Sequence, residues 1–151
     1  MYTKVFELRV DASPEKVWEF HSSAQALSKL TPPNKRVKLL SRDLSVFDGA
    51  IHEMRIMLFG FIPSTWRARI DQVTPPYGFT DQAEKSPFAF WRHRHDFIPD
   101  GDGTIIRDIV VYEMPFGKLG KAVHKLLLSK DIERLFAFRH QATKKALESG
   151  Q

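Results

Sequence analysis

The sequence predicts an α+β fold: a curved antiparallel sheet of about seven strands, two short helices after the first strand, and a long C-terminal helix across the concave face. Three observations predict it. Apolar and polar residues alternate at the period of two that strands require, in successive segments from Thr3 to Tyr112. Turn residues, not crossover helices, separate most of these segments, which makes the pairing antiparallel. A single long stripe at helical spacing follows, formed by Ile132, Leu135, Phe136, Arg139, Ala142, Ala146 and Leu147. One helix must therefore cover the apolar face of the whole sheet.

The elements follow in order. In Thr3 to Val10, the residues Phe6, Leu8 and Val10 share one face and turn inward. Ser13-Pro14-Glu15 opens a helix, with Ser13 as N-cap, Pro14 at the first helical position and Glu15 complementing the dipole. Trp18 packs that helix on the sheet. A second short helix covers about Ala24 to Leu30 and stops before Thr31-Pro32-Pro33. Strands are expected at Lys35 to Ser41, at Ala50 to Phe59 with His52, Met54, Ile56 and Leu58 on one face, at Thr65 to Val73 and at Phe79 to Lys85. Gly60 to Pro63 is a turn. In Thr65 to Val73, Trp66, Ala68 and Ile70 oppose Arg67, Arg69 and Asp71. After Met114-Pro115-Phe116-Gly117, the residues Leu119, Val123, Leu126 and Leu127 recur at helical spacing. Ser129 caps the longer helix, which Gly150 closes.

The centre of the chain is residues 86–112. Asp100-Gly101-Asp102-Gly103 is a strong hairpin signal, since Gly and Asp tolerate the positive φ of tight turns. With Asp100 opposite Gly103, Phe97 faces Ile106, His95 faces Asp108, His93 faces Val110, Trp91 faces Tyr112 and Asp96 meets Arg107. A slip of one residue would put every one of these side chains on the wrong face. One face then carries aromatics with two histidines, an aspartate and a tyrosine, a largely apolar surface with a few polar groups, as in a small-molecule pocket.

The length fits one domain over residues 1–151, with 42% hydrophobic and 27% charged residues, the profile of a soluble globular protein. No cysteine is present, which excludes a disulfide framework, a zinc–thiolate centre and a cysteine nucleophile. The first ten residues lack the apolar run of a secretory signal and no stretch is long enough to be a transmembrane segment, so a cytoplasmic protein is expected. The net charge of +5 is spread along the chain and reads as a solvated surface, so nucleic acid is not an expected partner and peripheral membrane contact stays open; binding of nucleic acid or an anionic membrane by this basic surface is the second alternative function. No glycine-rich phosphate loop, Gly-x-Ser-x-Gly elbow or His-Glu-x-x-His motif occurs.

The element order, together with Leu30-Thr31-Pro32-Pro33, Gly60 with Trp66-Arg67-Ala68-Arg69-Ile70, Phe79-Thr80-Asp81-Gln82, Pro87-Phe88, Trp91 to Phe97, Asp108 with Tyr112, and Pro115-Phe116-Gly117, resembles the START-like, or SRPBCC, superfamily. More specifically it resembles the bacterial cyclase/dehydrase-like, ligand-binding branch. Ser86 stands where similar sequences often carry Gly. The resemblance covers essentially the whole chain and implies a helix-grip fold. It also implies a small hydrophobic or amphipathic ligand, of lipid, polyketide or isoprenoid type, between sheet and terminal helix. No cofactor is expected, and oligomeric state stays unknown.

The candidate ligand-binding residues are Met54, Ile56, Trp66, Trp91, His93, His95, Phe97, Asp108 and Tyr112. His93 and His95 share a strand face and admit three readings. A metal would need a third ligand, Asp108 or His52; no acidic cluster surrounds the pair, and no metal is expected. Acid–base catalysis of cyclase or dehydratase type would use His95, Asp108 and Tyr112. The plainest reading is a buried polar network, His95 with Asp108, that shapes a pocket. Arg67, Arg69, Arg92 and Arg94 lie on the outer face and read as solvated. Residues 116–128 read as a lid, hinged at Gly117 and Gly120, with Leu119, Val123 and Leu127 covering an apolar surface.

Overall fold

The computed structural model describes the chain except residues 23–25, 27–28, 33–36, 44, 59–61 and 150–151, and the side chain of residue 58. Its elements are β1 (Tyr2–Val10), α1 (Pro14–His21), β2 (Val37–Leu39), β3 (Ile51–Leu58), β4 (Ile62–Thr74), β5 (Gly78–Lys85), β6 (Phe90–Asp100), β7 (Gly103–Glu113), α2 (Gly117–Val123), a π turn (His124–Leu128) and α3 (Ser129–Ser149). The seven strands form one antiparallel curved sheet in the order β1-β7-β6-β5-β4-β3-β2. This is the helix-grip arrangement that the alternation and the single long stripe predict.

The β6–β7 register is the expected one. Asp100 pairs with Gly103, Phe97 with Ile106, His95 with Asp108, His93 with Val110 and Trp91 with Tyr112. Gly103 is needed where the turn meets β1, because a Cβ there would lie 2.5 Å from the carbonyl oxygen of Val10. Asp96 and Arg107 are cross-strand partners, yet their charges pair elsewhere: Arg94 Nε donates to Asp96 at 2.8 Å and Arg107 Nε to Glu7 at 3.1 Å. On the flat outer face each charge has several neighbours within reach, and same-strand or next-strand partners win.

At the start of α1, the Ser13 hydroxyl accepts from the Lys16 amide at 3.3 Å, and Pro14 occupies the first turn. Trp18 sets its ring edge-on against Phe79 and Phe97. The second short helix falls mostly outside the described residues; within them Ala26 and Lys29 are helical and the Leu30 amide donates to the Ala26 carbonyl at 2.8 Å. Of the expected Gly60–Pro63 turn, residues 60–61 lie outside them, while Ile62 and Pro63 already belong to β4 and pair with β3; Gly150 also lies outside them.

One expectation fails at Ser129. That residue has helical φ and ψ of −57° and −47°, and its amide donates five residues back, to the His124 carbonyl. Nothing in Leu126-Leu127-Leu128 breaks a helix, so α2, the π turn and α3 run on without a cap. Along α3, Ile132, Phe136 and Thr143 are buried. Phe136 stacks on Phe6 with centroids 4.5 Å apart. Truncating such a ring typically costs about 3–5 kcal/mol. Ala146, assigned to the stripe, is exposed. Among the described residues no helix is long and apolar enough to cross a membrane.

Candidate functional site

Four elements bring the same sequence of side chains to the space between sheet and α3. On β6 the inward series runs Trp91, His93, His95, Phe97; on β7 it runs Tyr112, Val110, Asp108, Ile106. On β5 it is Ala83, Asp81, Phe79. On α3 it is Ile132, Phe136, His140, then Leu147. The apolar ends of these series form two separate clusters. One contains Val10, Val17, Ile70, Phe79, Phe97 and Ile106, with Trp18 and Leu147 beside it. The other contains Trp91, Val110, Tyr112, Ile132 and Phe136, with Trp66 and Phe88 beside it. Between them lies a layer of imidazoles and carboxylates.

Asp108 is the hub of that layer. Its Oδ1 accepts from His93 Nε2 and its Oδ2 from His140 Nε2, both at 2.7 Å. His95 Nε2 donates to Asp81 Oδ2 at 2.7 Å. The two halves nearly touch, with His93 Nδ1 3.6 Å from Asp81 Oδ2 and His95 Nδ1 3.5 Å from Asp108 Oδ1. The rings of His93 and His95 lie 3.7 Å apart, and Phe79 stacks on His95 at 4.2 Å. The backbone permits this closeness where β5 begins, because Gly78 has no Cβ to meet the His95 carbonyl, which would stand 2.3 Å from it.

Electrostatics follow from burial and pairing. Burial pushes the Asp108 carboxyl up, but hydrogen bonds from His140 and His93 outweigh it and hold the group well below the ordinary carboxylate range. Asp81 is likewise pushed up by burial and brought below its usual value by His95 and the charge of His93. Burial, then the neighbouring His93, lowers His95. Burial, opposed by the Val17 carbonyl oxygen 2.9 Å from Nδ1 and aided by the nearby His95 and His93, takes His21 down to about 4. Arg139 faces both carboxylates; burial lowers its pKa against their attraction. Its Nε donates to the Leu30 carbonyl at 3.3 Å, and its guanidinium lies over the Phe136 ring at 5.4 Å.

Tyr112 belongs to a different unit. Its hydroxyl is 2.6 Å from His124 Nε2, on the π turn, and Tyr2 stacks on His124 at 3.7 Å. Burial, with Tyr2 and Glu133 nearby, pushes the Tyr112 phenol up to about 12, so it keeps its proton and donates it to His124. The expected grouping of His95, Asp108 and Tyr112 therefore divides: Tyr112 stands four residues from Asp108 along one strand, about 13 Å. Asp108 and His95 are cross-strand neighbours, but each finds its short hydrogen bond elsewhere.

Residues 10–138 match the family model described as polyketide cyclase / dehydrase and lipid transport. The chain belongs to this family. No curated protein matches this chain in sequence. Solved structures resemble its fold. Protein CV1439 from Chromobacterium violaceum has a TM-score of 0.76 at 15% identity, over 98% of this chain and 99% of the other. A START superfamily protein from Mycobacterium smegmatis has a TM-score of 0.70 at 16% identity, over the full length of both. Protein Ms6760, also from Mycobacterium smegmatis, has a TM-score of 0.73 at 14% identity, over 99% of this chain and 92% of the other. The START-like resemblance seen in the sequence thus holds.

Within this polyketide cyclase/dehydrase-family fold, the sequence-derived residues fall into three places. His93, His95 and Asp108 lie in the polar layer, and Phe97 closes it on one side. Trp91 and Tyr112 bound it on the other, with Trp66 edge-on to Trp91 at 5.3 Å. Met54 pairs with Trp66 and Ile56 with Ser64, so both extend the same inner face toward the β3 side, where Met54, Ile56 and Trp66 are half-buried. His52 is not a third ligand for the histidines, since its Nε2 bonds the Ser45 carbonyl at 2.9 Å. Asp81 takes that position instead: one donor atom each from Asp81, His93 and His95 lies within 4.8 Å of the others. Sequence reasoning missed Asp81, His140 and His21. His140 had a signal, falling four residues after Phe136 and three before Thr143 on the buried stripe.

Proposed function

We propose that the protein binds a small hydrophobic or amphipathic molecule against the inner face of the sheet. Its apolar body would rest on Trp66, Trp91 and Phe88 and extend toward Met54 and Ile56. Its polar group would meet the layer of Asp81, His93, His95, Asp108 and His140. The observation that carries this reading is the zoning itself: a hydrogen-bonded imidazole–carboxylate layer flanked, at the next inward position of β6, by a cluster of aromatic rings. Apolar walls with few polar groups are what small-molecule sites require. Membership in a cyclase/dehydrase and lipid-transport family, with the fold of a START superfamily protein, supports the same class of ligand.

The test uses tryptophan emission. Titration with 1-anilinonaphthalene-8-sulfonate, then displacement by oleate or a hydroxylated naphthoquinone, is expected to be saturable, and Trp66→Ala to weaken it about tenfold. Unchanged emission with all three probes, and no co-purifying small molecule in native mass spectra, would overturn it.

One observation favours a catalytic second reading. Burial lowers the His95 pKa, and its Nε2 is fixed on Asp81 Oδ2 at 2.7 Å, so in this reading its Nδ1 would be the atom that takes a proton from the bound molecule. In that case Asp81, not Asp108, is the orienting partner, and Tyr112 stands too far along its strand to serve as a second proton donor. His95→Gln would then keep ligand affinity and abolish conversion of the bound molecule.

A further inference from the structure

Residues 116–128 carry an apolar surface that the protein itself does not cover. Phe116, Leu119, Leu126 and Leu127 are exposed by 82%, 69%, 75% and 60%. The helical arrangement of α2 and the π turn divides this segment into three stripes. Gly120, His124 and Leu128, four residues apart, face the sheet: Gly120 and His124 are buried, and Leu128 packs on the Trp91–Tyr112 cluster. Leu119 and Leu126, with Leu127 beside them, face away, and Val123 is half-buried between this stripe and the inner one. Lys118, Lys121 and Lys125 form a third, exposed stripe along one flank of the leucines. From Met114 to Lys130 the chain contains no acidic residue. Among the described residues none of these three lysines lies within ion-pair distance of a carboxylate.

The segment is also anchored firmly. A Cβ on Gly120 would lie 1.8 Å from the Pro115 carbonyl oxygen, so the helix can seat this close only with glycine there. His124 is tied to the Tyr112 hydroxyl and stacked on Tyr2. Gly120 is thus a contact point, and the leucines expected to cover the protein's own surface point outward because Gly120, His124 and Leu128 already occupy the inner stripe.

We infer that this stripe docks the protein on an anionic lipid bilayer, with Leu119, Leu126, Leu127 and Phe116 entering the interface and Lys118, Lys121 and Lys125 at the headgroups. An apolar face bordered by cations and free of acids is the pattern of helices that lie in a membrane surface. Charge complementarity selects anionic lipid, each lysine adding attraction near such a surface. The leucines set this occupant apart from nucleic acid, which would engage the lysines and leave the apolar face in water.

Vesicle co-sedimentation tests it, with phosphatidylcholine containing 30% phosphatidylglycerol and with phosphatidylcholine alone. Binding is expected to the mixed vesicles only and to weaken in high salt. The combined Lys118→Glu, Lys121→Glu and Lys125→Glu variant, and separately Leu126→Ser with Leu127→Ser, should each lose at least about tenfold. Circular dichroism should be unchanged in both. Because the chain has no cysteine, Leu127→Cys carrying an environment-sensitive fluorophore gives a direct reading, a blue shift on vesicle addition. Any of four results would overturn the inference: equal binding to neutral vesicles, no binding at all, nucleic-acid binding that depends on the lysines but not the leucines, or a dimer dissolved by the leucine substitutions. Ligand binding is measured without vesicles, so either proposal can fail while the other stands.

Discussion

The polar layer beneath α3 and the leucine stripe of residues 116–128 depart from the usual partition of side chains in opposite directions. The first buries imidazoles and carboxylates; the second leaves four large apolar side chains in water. The first is resolved inside the molecule. Asp108 takes two hydrogen bonds from histidines, Asp81 takes one, and Arg139 supplies positive charge. The second has no internal resolution among the described residues, because the inward stripe of that helix is already spent on Gly120, His124 and Leu128. A buried polar set closed on itself is a matter of stability and pocket shape. An open apolar set concerns something outside the chain.

Breaking the hub should show the largest effect. Asp108→Asn keeps the shape but removes the charge facing His93, His140 and Arg139, and unfolding in urea should show a loss of about 3–5 kcal/mol. A loss under about 1 kcal/mol would mean that water enters the layer and the set is not closed.

Titration separates the histidines from the carboxylates. The folded-state value of His21 is lowered from 6.5 to about 4, so between these values the unfolded chain binds more protons and stability rises with pH. The contribution is full above 6.5, is lost as pH falls toward 4, and amounts to on the order of 3 kcal/mol. His95 acts in the same direction. Asp108 is shifted in the same direction but over a lower range of pH: its contribution is present above the ordinary carboxylate value and is lost as pH falls through its much lower folded value. Acid unfolding should therefore have a shallow limb from pH 6.5 to 4 and a steeper one below. His21→Phe should flatten the first limb and leave the second. A first limb unchanged by that substitution would assign it to other groups.

How much of this was legible depends on how far apart the partners lie in sequence. The β6–β7 pairing could be read because Asp100-Gly101-Asp102-Gly103 sets the register locally, and the alternation then propagates it to Trp91 and Tyr112. The same register already held the evidence against a joint His95–Asp108–Tyr112 unit, since four residues of strand separate Asp108 from Tyr112. Asp81 was not legible as a site residue. Its place opposite His93 depends on the β5–β6 pairing, which a four-residue connection carries, while irregularities in β4–β5 blur the register from the other side. His140 was hidden by chemistry: a stripe drawn from apolar residues passes over a histidine on the same face. The exposure of Leu119, Leu126 and Leu127 was unreadable too, because periodicity shows that a stripe exists and not which stripe turns inward. Gly120 decides that, and its role appears only against the Pro115 carbonyl.

Tyr112→Phe tests the junction of the two regions, where the π turn is tied to the sheet. The change leaves the His124 ring buried with Nε2 unpaired, at a cost of about 1–2 kcal/mol. Hydrogen exchange should rise in residues 117–128 before it rises in β6 or β7. The smallest effect should come from Leu126→Ser with Leu127→Ser. These side chains are exposed by 75% and 60%, so their replacement should move stability by less than about 0.5 kcal/mol each. That near-neutrality is the sharper half of the comparison. If the pair instead costs as much as a core truncation, about 2–5 kcal/mol, the leucines already have a cover within the chain and the stripe is not open. If the fold is indifferent to them while vesicle binding is not, the apolar face serves a surface outside the molecule, and the polar layer beneath α3 can be read independently of it.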